Sequence, residues 1–105
     1  MKFTNEEFQE KIKDCKSSKD YRFFACDFKY YLTEEQMQYC LGRQETADDY
    51  RYFASDCKGY ITKGQLQYCL YKQQTAIDYR YFACDFQHDL NKKQLQYLLD
   101  KRQRL

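Results

Sequence analysis

The chain has 105 residues, with 18 Lys and Arg against 16 Asp and Glu and a formal net charge of +2, so charge alone demands no polyanionic partner and the length supports one hydrophobic core rather than two. No apolar run approaches the roughly 20 residues needed to cross a bilayer, and the opening Met1-Lys2-Phe3-Thr4 has no signal-peptide character, which leads us to expect a cytoplasmic protein in a reducing compartment. Proline and tryptophan are absent, whereas twelve tyrosines and eight phenylalanines must supply much of the buried surface.

Taken in chain order, the first helix signal is Phe3-Thr4-Asn5-Glu6-Glu7-Phe8, an N-cap threonine with an acid three residues on and apolar residues at the two staple positions. It predicts a helix over 5–14 with Phe8, Ile12 and Cys15 on one face. Ser17-Ser18-Lys19-Asp20 then caps a helix over 18–28, and Leu32-Thr33-Glu34-Glu35-Gln36-Met37 caps another over 34–43. The same grammar returns at Thr46, Thr62, Thr75 and Asn91, predicting helices over 47–57, 63–73, 76–86 and 92–103. No strand signal competes with them.

The recurrence has a fixed period of 29 residues. Asp20-Tyr21-Arg22-Phe23-Phe24-Ala25-Cys26-Asp27 returns as Asp49-Tyr50-Arg51-Tyr52-Phe53-Ala54-Ser55-Asp56 and as Asp78-Tyr79-Arg80-Tyr81-Phe82-Ala83-Cys84-Asp85. Gln36-Met37-Gln38-Tyr39 likewise returns at Gln65 and Gln94. The expected fold is therefore all-α: one domain over 1–105, made of an amino-terminal half repeat (1–16) that serves as a cap and three helix-turn-helix repeats (17–45, 46–74, 75–105). About seven helices stack as a short array or compact bundle, since such pairs bury their apolar faces only against neighbours. Tyr50, Phe53, Ala54 and Cys57 form the inward stripe of the first helix of a unit, with counterparts in the other copies. Met37, Cys40 and Leu41 form that of the second, matched by Leu66, Cys69, Leu70 and by Leu95, Leu98, Leu99.

Comparing copies also sorts the six cysteines. Cys57 stands where Phe28 and Phe86 stand, and Cys40 and Cys69 stand where Leu98 does, so these three are expected as small buried hydrophobes. Cys26 and Cys84 align with Ser55, and Cys15 aligns with Gln44 and Gln73. Reduced thiols are the expectation, with Cys40 and Cys69 the pair whose equivalent positions could bring them together.

The second unit, Phe53-Ala54-Ser55-Asp56-Cys57-Lys58-Gly59-Tyr60-Ile61-Thr62-Lys63-Gly64-Gln65-Leu66, resembles an EF-hand calcium loop with its flanks. Asp56 falls at the third loop position, Gly59 at the sixth and Ile61 at the eighth, and Leu66 follows the twelfth. Tyr30 and His88 occupy the glycine place in the other units. Position one is Ala25, Ala54 and Ala83 and position twelve is Gln36, Gln65 and Gln94, where calcium requires carboxylates. The resemblance implies paired helix-loop-helix motifs that bind a partner helix in a groove without calcium, as degenerate members of that family do.

For function, the recurring Arg22, Arg51, Arg80 and Tyr39, Tyr68, Tyr97 are the candidate partner-binding residues, because arginine and tyrosine dominate interaction hot spots. They suggest two ladders that could take a peptide or partner helix or, alternatively, single-stranded RNA with its bases on the tyrosines. A structural reading competes: each arginine pairs with an acid of its own or the next unit, Asp20, Asp49 and Asp78 being adjacent in sequence, and each tyrosine packs between units. His88 is the one histidine and sits in a turn, Cys-x-x-Cys spacing is absent, and there is no glycine-rich phosphate loop, so neither an enzyme nor a metal or other cofactor is expected. The basic end, Lys101-Arg102-Gln103-Arg104, reads as a solvated helix terminus or a weak docking patch. The expected function is a non-catalytic protein-interaction or scaffold module with a protein or peptide partner, self-association being a further option.

Overall fold

Helix starts set the architecture. The computed structural model describes residues 1–103 and contains seven α-helices: α1 (Asn5–Ile12), α2 (Ser18–Phe28), α3 (Glu34–Leu41), α4 (Ala47–Asp56), α5 (Lys63–Tyr71), α6 (Ala76–Phe86) and α7 (Lys92–Gln103). Arg104 of the basic end lies outside the described residues. Every start carries a reciprocal capping box. At α5, Gln65 N donates to Thr62 Oγ1 (3.0 Å) while Thr62 N donates to Gln65 Oε1 (2.9 Å). Thr4, Ser17, Thr33, Thr46 and Thr75 cap their helices in the same way, and Asn91 exchanges the pair of bonds with Gln94. Each box satisfies N–H groups that the first helical turn leaves without a partner.

Where the predicted helices run to 14, 43 and 73, α1, α3 and α5 stop at Ile12, Leu41 and Tyr71. The last turns tighten: Cys15 N donates to Ile12 O, Arg43 N to Cys40 O, Gln44 N to Leu41 O and Gln73 N to Leu70 O, all three residues back. Gln44 then takes over where the backbone ladder ends. Its Nε2 donates to Cys40 O and to Ser18 O at the start of α2 (both 3.1 Å), and Gln73 does the same with Cys69 O (3.0 Å) and Ala47 O (3.1 Å). These two glutamines are buried, and each ties the end of one helix to the start of its neighbour. The loop after α4 differs from those after α2 and α6. Gly59 has φ +87° there, a value open to glycine at little cost, and α4 ends one position earlier in the repeat than its counterparts.

The helices pack as a bundle of 46 × 25 × 16 Å. α2 lies against α3 and α4, α4 against α5 and α6, and α6 against α7. One continuous core runs through them, from Phe8 and Ile12 of α1 to Phe86 and Leu98. The inward stripe expected of α4 is buried throughout, as are Met37, Cys40, Leu41, Leu66, Cys69 and Leu70. All six cysteines are free thiols, and Cys40 and Cys69 are unbridged. Burial pushes Cys40, Cys57 and Cys69 up to about 12, in keeping with inert core thiols. One expectation of the stripe fails: Leu99 is 38% exposed, whereas its counterparts Leu41 and Leu70 are 0% exposed. The cause is tertiary. The same repeat position is enclosed in the first two units, and nothing described covers it in the last. No helix among the described residues is long and apolar enough to cross a membrane.

Candidate functional site

The arginines at the first set of candidate positions lie on α2, α4 and α6, and two of them, Arg22 and Arg51, alternate with aromatic rings. Arg22 sits over Phe23 (4.9 Å) and, on α4, Tyr52 (5.1 Å). Arg51 repeats the arrangement over Tyr52 (4.7 Å) and Tyr81 (5.0 Å). Its guanidinium also meets Asp85 on α6 (3.2 Å) and Asp48 on its own helix (3.5 Å), and its side chain is 12% exposed. The acids adjacent in sequence are not the partners. Asp20, Asp49 and Asp78 are engaged in the capping boxes, with Asp78 Oδ2 accepting from Thr75 N (3.0 Å) and Gln74 N (3.1 Å).

The three tyrosines occupy a different part of the surface and pack mainly within a unit. Tyr39 meets Tyr21 (6.1 Å), Tyr68 meets Tyr50 (5.7 Å) and Tyr97 meets Tyr79 (6.4 Å), while Tyr39 also reaches Phe8 and Tyr97 reaches Tyr71. A cation lies over each pair: Arg43 over Tyr39 (4.6 Å), Lys72 over Tyr68 (5.1 Å) and Lys101 over Tyr97 (5.5 Å). The sequence reading gave Arg43 and Lys72 no such role and took Lys101 only as part of the basic end, although their 29-residue spacing and their place four residues after each tyrosine were visible. Arg43 Nη2 donates to Tyr39 Oη (2.8 Å). Burial first, and the neighbouring Tyr68 second, push Tyr50 up to about 12; its hydroxyl donates to Gln44 O (2.9 Å).

Further contacts lock successive helix pairs together at equivalent positions. Lys29 Nζ donates to Asp56 O (3.1 Å) and Lys58 Nζ to Asp85 O (2.7 Å), each ammonium sitting on carbonyls at the end of the following helix. The capping-box glutamines have a second task. While Oε1 caps its own helix, Nε2 reaches back: Gln36 to Phe3 O (3.0 Å), Gln65 to Glu34 O (3.2 Å) and Gln38 Oε1 (3.3 Å), Gln94 to Gln67 Oε1 (3.1 Å). Glutamate could cap but has no N–H to give. α1, the first of the described helices, carries Glu7 at this position.

At the α6–α7 end Arg80 recurs without the ring and acid that the later helices give Arg22 and Arg51. Ala83, Cys84, Gln87, Leu95 and Leu99 line an open groove between the two helices. Ala25 and Ala54, and Met37 and Leu66, the counterparts of Ala83 and Leu95, are buried. Among the described residues no carboxylate or ring meets Arg80, which is exposed. Ile77, 61% exposed, replaces the Asp48 that partners Arg51. Gln87 stands where Lys29 and Lys58 stand, and Gln96 where Gln38 and Gln67 accept an amide. The structure thus leaves Arg80 exposed on α6, embeds Arg22 and Arg51 between helices, and leaves Tyr39, Tyr68 and Tyr97 on separate ring clusters.

His88 lies exposed in the turn before α7. Among the described residues no three His, Cys, Asp or Glu side chains gather closely enough to hold a metal ion. In the EF-hand-like loop of the second unit, Ala54 at position one is buried in the core and Gln65 at position twelve is spent on the cap and on Glu34. What the fold carries is a set of helix-loop-helix elements in general. No protein-family model, no curated protein and no solved structure matches this chain.

Proposed function

We propose that the chain is a non-catalytic interaction module in which 29-residue helix pairs stack in register, closed at the amino-terminal end by α1 and open for a partner at the α6–α7 end. The observation that carries this reading is the groove of Ala83, Leu95 and Leu99, apolar positions whose earlier copies are core. Apolar surface of this kind, with Gln87 in its lining and Arg80 three residues before Ala83 on α6, has the composition of an interaction site. Affinity capture with the wild-type chain and with Leu99→Glu tests it. Leu99 is solvated, so the variant keeps its helix content by circular dichroism, and the expected result is loss of a specific set of captured proteins. Identical sets from both would overturn the reading.

A second reading, single-stranded RNA on the Phe23-Arg22-Tyr52-Arg51-Tyr81 strip, is favoured by its alternation of cations and rings. Against it stands the occupation of those ring faces by the chain's own guanidiniums, and of Arg51 by Asp85. Capture that RNase and salt abolish, and that Leu99→Glu leaves intact, would favour RNA. The degenerate EF-hand reading rests on Gly59 at φ +87° and leads to the same partner class, a helix in a groove.

A further inference from the structure

The open groove repeats an interface that the molecule itself displays twice, and the two copies specify what fits the third. α4 supplies Tyr52 for Arg22 of α2, and α6 supplies Tyr81 and, four residues later, Asp85 for Arg51 of α4. The residues after these, Phe53 and Phe82, with Cys57 and Phe86 one turn on, enter the core at 0–1% exposure. A helix that fills such a place therefore carries an aromatic-Phe pair followed one turn later by Asp and a second apolar residue. Arg80 offers the same guanidinium with neither acid nor ring upon it, while Ile77 removes the intrahelical acid that Arg51 has. Ala83, Leu95 and Leu99 provide the apolar floor.

We propose, building on the interaction-module reading, that the α6–α7 groove binds a partner's amphipathic helix of pattern aromatic-Phe-x-x-Asp-apolar, seated as α6 sits on α4. The aromatic ring lies over Arg80, and the Asp carboxylate accepts from its guanidinium. The Phe and the second apolar side chain fill the groove above Ala83 and Leu95. A second copy of this chain does not supply the helix in this register. Its α2 has the pattern in Phe23-Phe24 and Asp27-Phe28, but its own α1 and amino-terminal segment already cover Phe24 and Phe28, with Phe8 6.0 Å from Phe24 and Phe3 5.7 Å from Phe28.

The test uses the full chain and a fluorescein-labelled, end-capped peptide of residues 75–89, with Cys84→Ser to prevent disulfides, read by fluorescence anisotropy. Saturable one-to-one binding is expected, weakened at least tenfold by Leu99→Glu in the protein and by Asp85→Lys in the peptide. Arg80→Glu in the protein should restore affinity for the Asp85→Lys peptide, a charge exchange that general stickiness cannot mimic. Bound peptide should also slow alkylation of Cys84 in the groove at least tenfold. No saturable binding, or binding indifferent to Leu99→Glu, overturns the proposal. So does a dimer in sedimentation velocity that Leu99→Glu dissociates and the peptide leaves intact, which would assign the groove to a second copy. Failure of the peptide while Leu99→Glu still removes captured proteins would overturn this helix chemistry and leave the interaction module standing.

Discussion

At the amino-terminal end α1 lays Phe8 and Ile12 against the bundle, and both are buried; at the other end Leu95 and Leu99, which hold those repeat positions in α7, are half-buried and exposed. The two ends differ in their polar contacts as well. Glu7 closes only its own capping box, whereas Gln36, Gln65 and Gln94 close theirs and also donate to the start of α1, to α3 and to α5 respectively. Phe23 at one end is 47% exposed, with no arginine of a preceding helix over it, and Arg80 at the other has no following ring. The comparison teaches that an apolar stripe states where burial is available, while a neighbouring helix decides whether it occurs.

The glutamines give the largest effect that separates the first box from the later ones. Gln65→Glu keeps the cap acceptor but removes the donor to Glu34 O and places an acid at a site only 5% exposed. A loss of about 1–3 kcal/mol is expected in urea titration. Glu7→Gln, at the exposed box of α1, should leave the urea midpoint almost unchanged. Equal costs at the two positions would break the distinction between a closing helix and an internal one.

Acid provides a smaller contrast between helix types. Backbone N–H groups of Lys16 and Ser17 hold Asp20 below the usual carboxylate range, and that of Thr4 does the same for Glu7. For Asp49, burial works upward and is the largest single influence, but the N–H groups of Thr46 and Glu45 with the hydroxyls of Ser18 and Thr46 leave the net direction downward. A depressed folded-state pKa means stability that is present above the unfolded pKa, near 4, and lost as pH falls through the folded value. Titration below about pH 4 should therefore loosen the starts of α1, α2 and α4. The amide boxes of α3, α5 and α7 have no proton to gain. Amide exchange resolved by residue checks this, and uniform loss across all helix starts would contradict it.

Much of this fold was legible because capping chemistry is local. Thr, Ser or Asn followed three residues later by Asp, Glu or Gln marked all seven starts, and the 29-residue comparison marked Cys40, Cys57 and Cys69 as core. Helix ends were less legible, since the tightened turns at Leu41 and Leu70 depend on Gln44 and Gln73 reaching a neighbouring helix. The arginine and tyrosine sets were visible as repeats, but their partners were not. Asp85 lies 34 residues from Arg51, and Arg43, Lys72 and Lys101 gained their place only once rings from two helices converged. The open face was hidden for the same reason: Leu99 has the sequence surroundings of Leu70 and a different tertiary one.

That pair of leucines also provides the most direct measurement. In paired urea titrations, Leu70→Ala should cost about 2–5 kcal/mol as a buried truncation, and Leu99→Ala about 0.5 kcal/mol or less. Equal costs would mean that the α6–α7 face is already covered in solution, and would contradict an open docking end.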